Sequence, residues 1–315
     1  MAVQRVLWVD RTSGTAVRRD AADIPAMLAD PSGWLWLDVP EPDEQTGVLL
    51  SEAFGAHPAA VADVLERNHV PRLHVYGHTL LLILQRPLAG EGGHIHYLEF
   101  DQLVGPGFLV TTHGPRNPVV PLELLLQETE DLAERMLSGR RVPSGPWEAS
   151  HWIVSSLTIA QERQVNGLAR DVGGLEQRVM AQRSDAHPEA LLEDLFRTRH
   201  MLLTLGTMAG QAAEIYGRAV RLLGDAGAGE FLRDSKDAYV RLSRIAGSQL
   251  DYLSGVTEYY RARTDTKMTI AAERLAVIAA ITLPVTAISS VLGMNVIVND
   301  RTDWPSLGIL LAVMI

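Results

Sequence analysis

Asn295, the last residue of Gly293-Met294-Asn295, offers an amide carbonyl where a long apolar segment ends. Oxygen is the ligand that a small, hard divalent cation such as Mg2+ takes. Gly293 permits the tight backbone turn that ends a helix. On its own the tripeptide also reads as a helix cap running into a turn. Back along the chain, Ser290, Thr286, Leu283, Ala279, Leu275, Ala272 and Thr269 are spaced by three or four, so a helix carries them on one face. The same stripe suits plain helix packing, because small residues let membrane helices approach closely. Asp234 and Asp237 are three apart and share one helical side, a pattern whose plain reading is a solvated face. Asp300 and Asp303 are the acids of the polar stretch beyond the tripeptide. His94 and His96 would point to one face of a strand, and a histidine pair can hold Zn2+, but with two ligands only a surface pair is the simpler reading.

These groups need elements to hold them. Leu275 to Leu292 runs 18 residues without a charged side chain, the lower edge of what spans a hydrocarbon core of about 30 Å. Asn299 to Asp303 is polar, and Ser306 to Ile315 turns apolar again, so the expected order is helix, short hairpin, second helix. Ten residues are too few to cross by helix, and the expectation is a sequence that stops within the second span. Arg261, Arg263, Lys267 and Arg274 precede or open the first span, which predicts a cytoplasmic N-terminal part in the cell membrane. The N-terminus lacks the apolar core of a signal peptide, in keeping with that orientation.

Upstream, Val3–Val9, Trp34–Val39, Leu80–Gln85, His96–Val104 and Phe108–Thr112 have strand-like content bounded by Gly and Pro. Helices are expected at Pro42–Phe54, Pro58–Asn68 and Pro121–Leu137, each opening near a proline. Long helices follow, from Pro146 to near Gln182 and from Pro188 to near Leu223. A third starts near Ala228 and meets no proline until Pro284; continuous to Leu292, it would measure roughly 100 Å. Residues 1–145 thus read as an α/β domain, 146–270 as long antiparallel helices with a stalk helix, and 271–315 as a transmembrane region.

The formal net charge of −10, with no basic block, argues against nucleic acid as a partner. The absence of cysteine excludes disulfides, thiolate metal sites and cysteine nucleophiles. No P-loop, GxSxG or HExxH is present, and Gly90-Glu91-Gly92-Gly93 reads as a hairpin turn, so an enzyme is not expected. The acids Glu123, Glu128, Glu130, Asp131 and Glu134 could attract cations or form an ordinary solvated helix face.

Three stretches resemble the CorA-type divalent-cation transporters. His57-Pro58-Ala59-Ala60-Val61-Ala62-Asp63-Val64-Leu65, followed by Val70-Pro71-Arg72-Leu73, looks like an early block of that family. Phe231 to Asp237 is similar to its stalk-helix element. Leu275 to Asn295 carries Pro284 and Thr286 at the family's spacing from the Gly-Met-Asn signature, 61 residues after Asp234. The resemblance implies a homopentamer, with a cytoplasmic α/β domain over a funnel of stalk helices and the first transmembrane helix lining the pore. Five copies of Asn295, with Gly293 carbonyls, would then ring the outer mouth beside Met294, and Asp300 and Asp303 would supply its acids. Thr269, Ala272, Leu275, Ala279, Leu283, Thr286 and Ser290 fall on the family's pore-lining positions. Hydroxyls at Ser290 and Thr286 would meet the hydrated ion, and Leu283 and Leu275 would form dewetting constrictions.

Asp234 fills the position of a regulatory metal ligand, with Asp237 beside it and Asp63 and Glu258 as further candidates. Mg2+ is then both substrate and regulatory ligand, and no catalytic cofactor is implied. Thr269 stands where the family usually has Asn, Ala272 where it has a bulky apolar residue, and Leu292 where an aromatic is usual. The expected function is Mg2+ passage, with Co2+ or Ni2+ also accepted. The alternatives are a ZntB-like zinc transporter, proton-coupled or not, and a non-conducting membrane-anchored sensor or assembly protein.

Overall fold

All of Gly33-Trp34-Leu35-Trp36-Leu37-Asp38-Val39 is buried, the pattern of a strand covered on both faces. A computed structural model of the chain describes residues 5–181, 188–224 and 228–293, with Ile309 and Ala312. It divides into two compact units, Met1–Ser254 and Gly255–Ile315.

The first unit is built on a seven-stranded sheet: β1 (Arg5–Asp10), β2 (Thr15–Arg18), β3 (Gly33–Val39), β4 (Arg72–Tyr76), β5 (Thr79–Ala89), β6 (Ile95–Gly105) and β7 (Phe108–Thr112). The order is β2-β1-β3-β7-β6-β5-β4, with β3 beside β7 as the parallel pair and antiparallel pairs elsewhere. Three short helices cover one face: α1 (Ile24–Ala29), α2 (Glu44–Glu52) and α3 (Pro58–Leu65). Their Ile24, Leu50, Ala60 and Val64 pack with Leu35, Leu37, Leu81 and Leu103 of the sheet in one apolar core. Helix α2 is nucleated by a capping box, in which the Asp43 side chain accepts from the Thr46 N–H. Helix α3 opens at Pro58, with His57 Nδ1 accepting from the Ala59 N–H.

The other face receives α4 (Leu122–Leu137) and α5 (Pro146–Met180), followed by α6 (Pro188–Leu223). Trp34 on this face donates to the Pro143 carbonyl at 3.3 Å, and Ser150 of α5 bonds Gln102 of β6. The last helix, α7 (Gly229–Gly293), is 65 residues long. Within the first unit it buries Leu232, Tyr239, Leu242, Ala246 and Leu253. It meets α5 through Arg241–Glu162 at 3.0 Å and α6 through Ser243, which donates to the Gly206 carbonyl at 3.0 Å.

In the second unit the exposure of α7 changes. Leu275 is 66% exposed, Ile281 64% and Leu283 66%. An apolar helix left open all round needs a cover from outside its own chain fold, and a bilayer or other copies of the chain would supply one. This part of α7 is long and apolar enough to cross a membrane, and Ile309 and Ala312 are helical.

The expected strands and helices of the first unit are present with shifted ends, and β2, β4 and α1 are additional. The sequence of β4, Arg72-Leu73-His74-Val75-Tyr76, is short and half polar because it lies at the sheet edge. Helix α1 starts with Pro25 in its first turn and is six residues long, too short to show a helical period.

Candidate ion pathway and cation sites

The seven residues of the expected pore stripe lie on the second-unit part of α7, and the stripe residues other than Ala279 are exposed. The hydroxyls along this helix are committed in a specific way. Thr269 donates to the Asp265 carbonyl at 3.0 Å, Thr282 to that of Ile278 at 2.9 Å, and Thr286 to that of Thr282 at 2.8 Å. A hydroxyl has one hydrogen and two lone pairs. With the hydrogen spent on the backbone, each oxygen is left as an acceptor, the polarity that a cation or its inner waters require. Pro284 lies inside the helix, where it removes one backbone donor. Gly293 is the last residue of α7, while Met294, Asn295, Asp300 and Asp303 lie outside the described residues.

The acids expected to hold a regulatory cation fall at separate places. Asp234 and Asp237 are exposed on α7, and Asp237 has Lys236 at 3.9 Å. Beside Asp234, Ser235 contacts His151 of α5 at 3.1 Å. Burial lowers the His151 pKa, and the charge of Asp234 works in the opposite direction. Asp63 sits on α3 with Arg72 and His74 of β4, each at 3.5 Å. Glu258 is exposed in the second unit. Among the described residues no three His, Asp or Glu side chains gather to hold a metal. A cation held at these acids would therefore complete its shell with water or with oxygens of another copy. His94 and His96 touch edge to face at 4.7 Å between ring centres, and His96 is bonded to Asn117 at 3.3 Å.

A buried polar system inside the sheet was not read from the sequence. Asp38 accepts from Thr111 Oγ1 at 2.6 Å and lies 3.1 Å from His113 Nε2 and 3.4 Å from Arg5 Nη1. Burial is the largest influence on Asp38 and pushes its pKa up, yet the bonds and charges of His113, Thr111 and Arg5 together hold it below the ordinary value. On the α3 side, Glu99 accepts from the Asn68 backbone at 2.6 Å and from Asn68 Nδ2 at 2.8 Å. Gly114, at φ +62°, makes room there, since a Cβ would meet Glu99 Cβ at 2.8 Å. Asp101 follows two residues on, on the same face, with Thr112 donating at 3.0 Å to one oxygen and the other oxygen without a hydrogen-bond partner among the described residues. The signal lay in Glu99-Phe100-Asp101, two acids alternating inside a largely buried strand.

Burial, reinforced by the charges of Glu99 and Asp63, raises the Asp101 pKa well above its ordinary value. The folded state therefore keeps a proton that the unfolded chain releases. Stability from this group is present below the unfolded pKa and is lost as pH rises toward the folded one. Asp101→Asn removes the charge and keeps the shape. It is expected to raise the melting temperature of the full-length protein at about pH 8 by a few degrees, with a smaller rise at about pH 5. Equal shifts at both pH values would count against a protonated Asp101.

A family model described as CorA-like Mg2+ transporter protein matches residues 31–315. The chain is 23% identical over 275 residues to YfjQ of Bacillus subtilis (strain 168), itself a candidate metal ion transporter, covering 86% of this chain and 81% of that protein. Its fold is similar to the complete CorA magnesium transporter of Methanocaldococcus jannaschii, with a TM-score of 0.76, 14% identity, and coverage of 100% of this chain and 95% of the other. It is also similar to the ZntB cytoplasmic domain of Vibrio parahaemolyticus RIMD 2210633, with a TM-score of 0.64, 11% identity, and coverage of 84% and 100%. At these identities the two solved structures speak for the fold.

Proposed function

From the membership of this chain in the CorA-like family of Mg2+ transporter proteins, matched over residues 31–315, we propose that it is a membrane transporter of divalent metal ions that passes Mg2+. The observation that carries the ion pathway is the stripe of α7, where oxygens at Thr269 and Thr286 flank exposed Leu275 and Leu283. In a homopentamer, five such stripes would enclose a path of acceptor oxygens and apolar constrictions. Asn295 would supply five amide carbonyls at the mouth, Gly293 would end the helix, and Asp300 and Asp303 would concentrate cations outside. A hydrated Mg2+ need not shed its waters to pass such a ring. A doubly charged ion gains roughly 4.6 kcal/mol per 100 mV of membrane potential, so no nucleotide site is required.

The acids of the first unit suit regulation. Asp234 and Asp237 are solvent-facing carboxylates, and the described residues of one chain do not complete a metal shell around them. Bound Mg2+ bridging them to acids of a neighbouring copy, with Asp63 as a candidate, would hold the assembly closed. Loss of the metal would leave like charges facing each other and loosen it.

The test is Mg2+ entry into proteoliposomes containing the full-length protein, with Zn2+ as competitor and a pH gradient as a variable. Mg2+ entry that is indifferent to the gradient is the expected result. Zn2+ entry that follows the gradient, without Mg2+ entry, would make the chain a proton-coupled zinc transporter instead. In the same vesicles, joint Asp234→Asn and Asp237→Asn is expected to leave entry high when internal Mg2+ rises, whereas unaltered closing would remove these acids from regulation.

A further inference from the structure

A cavity of about 500 Å3 lies between the turn joining β5 to β6 and the facing sides of α5 and α6, and no residue of α7 lines it. Its floor is apolar and buried: Ile95, Leu175 and Met201, with the Thr198 hydroxyl among them. The volume falls within the range of small-molecule sites, which are mostly apolar with a few placed polar groups.

The helical spacing aligns the charged groups. Arg170, Gly174 and Arg178 recur every four residues and so form one row along α5. The middle position of that row is open, because a Cβ on Gly174 would meet nothing within 4 Å. On α6, Asp194, Thr198 and Met201 form the opposing row, and Arg197 stands beside it, its Cγ 3.9 Å from where a Cβ on Gly93 would lie. Glycine at 93 and 174 therefore leaves space between arginines that larger residues would take.

The arginines are held and still have donors to offer. Arg178 Nη1 donates to Asp194 at 2.7 Å, which ties α5 to α6 across the cavity. Arg197 Nη2 donates to Glu193 at 2.8 Å, and Glu193 lies outside the cavity lining. Arg170 has no ion-pair partner among the described residues. Each guanidinium carries five N–H donors in a fixed fork, so one bond to a carboxylate leaves the others for a ligand. Three arginines face two aspartates, Asp171 and Asp194, a local positive excess in a chain whose formal net charge is −10. Planar forks match the oxygens of a phosphate, and the floor takes an apolar body.

We propose that this cavity is a binding site for a small organic phosphate, with its phosphate between Arg170 and Arg197 and its apolar part on Ile95, Leu175 and Met201. Such a site would make the first unit a receptor for a phosphorylated metabolite in addition to divalent cations.

Isothermal titration of the full-length protein in detergent with phenyl phosphate tests this. Phenol and inorganic phosphate serve as the two half-ligands. Binding of phenyl phosphate at one site per chain is expected, weakened at least tenfold by joint Arg170→Ala and Arg197→Ala, and weakened similarly by Gly174→Leu, which fills the cavity. Both half-ligands should bind far more weakly. The altered side chains face solvent or open space, and an unchanged melting temperature checks that the fold persists. No binding, or binding that ignores both sets of substitutions, overturns the proposal. Phenol binding as well as phenyl phosphate overturns the phosphate assignment, and inorganic phosphate binding equally well overturns the apolar half. Ion flux is not the readout, so failure here leaves the transport reading untouched, and failure of transport leaves this site standing.

Discussion

Asn295→Ala is expected to cut Mg2+ entry into proteoliposomes by at least about tenfold, equivalent to ~1.4 kcal/mol on the limiting barrier. The substitution acts once per subunit, so a pentameric mouth would lose five carbonyl dipoles together. Nothing else near that point provides the same oxygen, since Met294 offers a thioether and the side chains following it are apolar up to Asn299. The neutral amide matters as much as the oxygen. Five carboxylates would hold a divalent cation hard and slow its release, and Asn295→Asp is accordingly expected to increase ion binding while lowering throughput. Flux unchanged by the alanine variant would reduce the tripeptide to a helix ending, and no flux from either form would favour a protein that does not conduct.

The second large effect lies in the sheet. Asp38→Ala is expected to destabilise the full-length protein by about 3–5 kcal/mol, the range for breaking a buried charged pair from one side. Asp38 is 1% exposed and His113 3%, so neither charge nor donor left behind can turn to water. The Thr111 hydroxyl, which takes a bond from Trp36 Nε1 at 3.0 Å and gives one to Asp38, would lose its acceptor as well. Asp38→Asn keeps an acceptor for Thr111 and should cost less. The sign with pH follows from the lowered pKa: stability from Asp38 is present above its unfolded value and is lost as pH falls through the folded one. Chemical denaturation of both variants checks this, and an alanine variant as stable as the parent would show that the network carries no net stabilisation.

Much of the fold was legible because its elements follow simple periods. The buried runs of β3 and β7 and the proline openings of α3 and α5 could be placed within a few residues. The edge strand β4 and short α1 were not, since a half-exposed strand and a single-turn helix leave no period to read. That the seven residues of the expected stripe share one helix was legible for the same reason as the helices, by spacing. The Asp38 and Asp101 systems were not, because each depends on partners far away in sequence: Asp38 on Thr111 and His113, and Asp101 on Thr112 across a strand pair. The arginine cavity was hidden for a different reason. Its rows come from two helices and a turn, and the missing side chains at Gly93 and Gly174 define it as much as the ones present.

If the stripe of α7 lines the proposed pathway, the backbone bonds of its Thr269 and Thr286 have a consequence for anions. Chloride or phosphate passing along a wall must exchange water hydrogens for wall hydrogens. These hydroxyls have none free, so such a wall offers an anion nothing in return for its hydration. Hydroxyls also do not ionise near neutrality, unlike a ring of aspartates. Discrimination by sign of charge along this part of α7 would therefore persist unchanged through acidification that silenced a carboxylate filter.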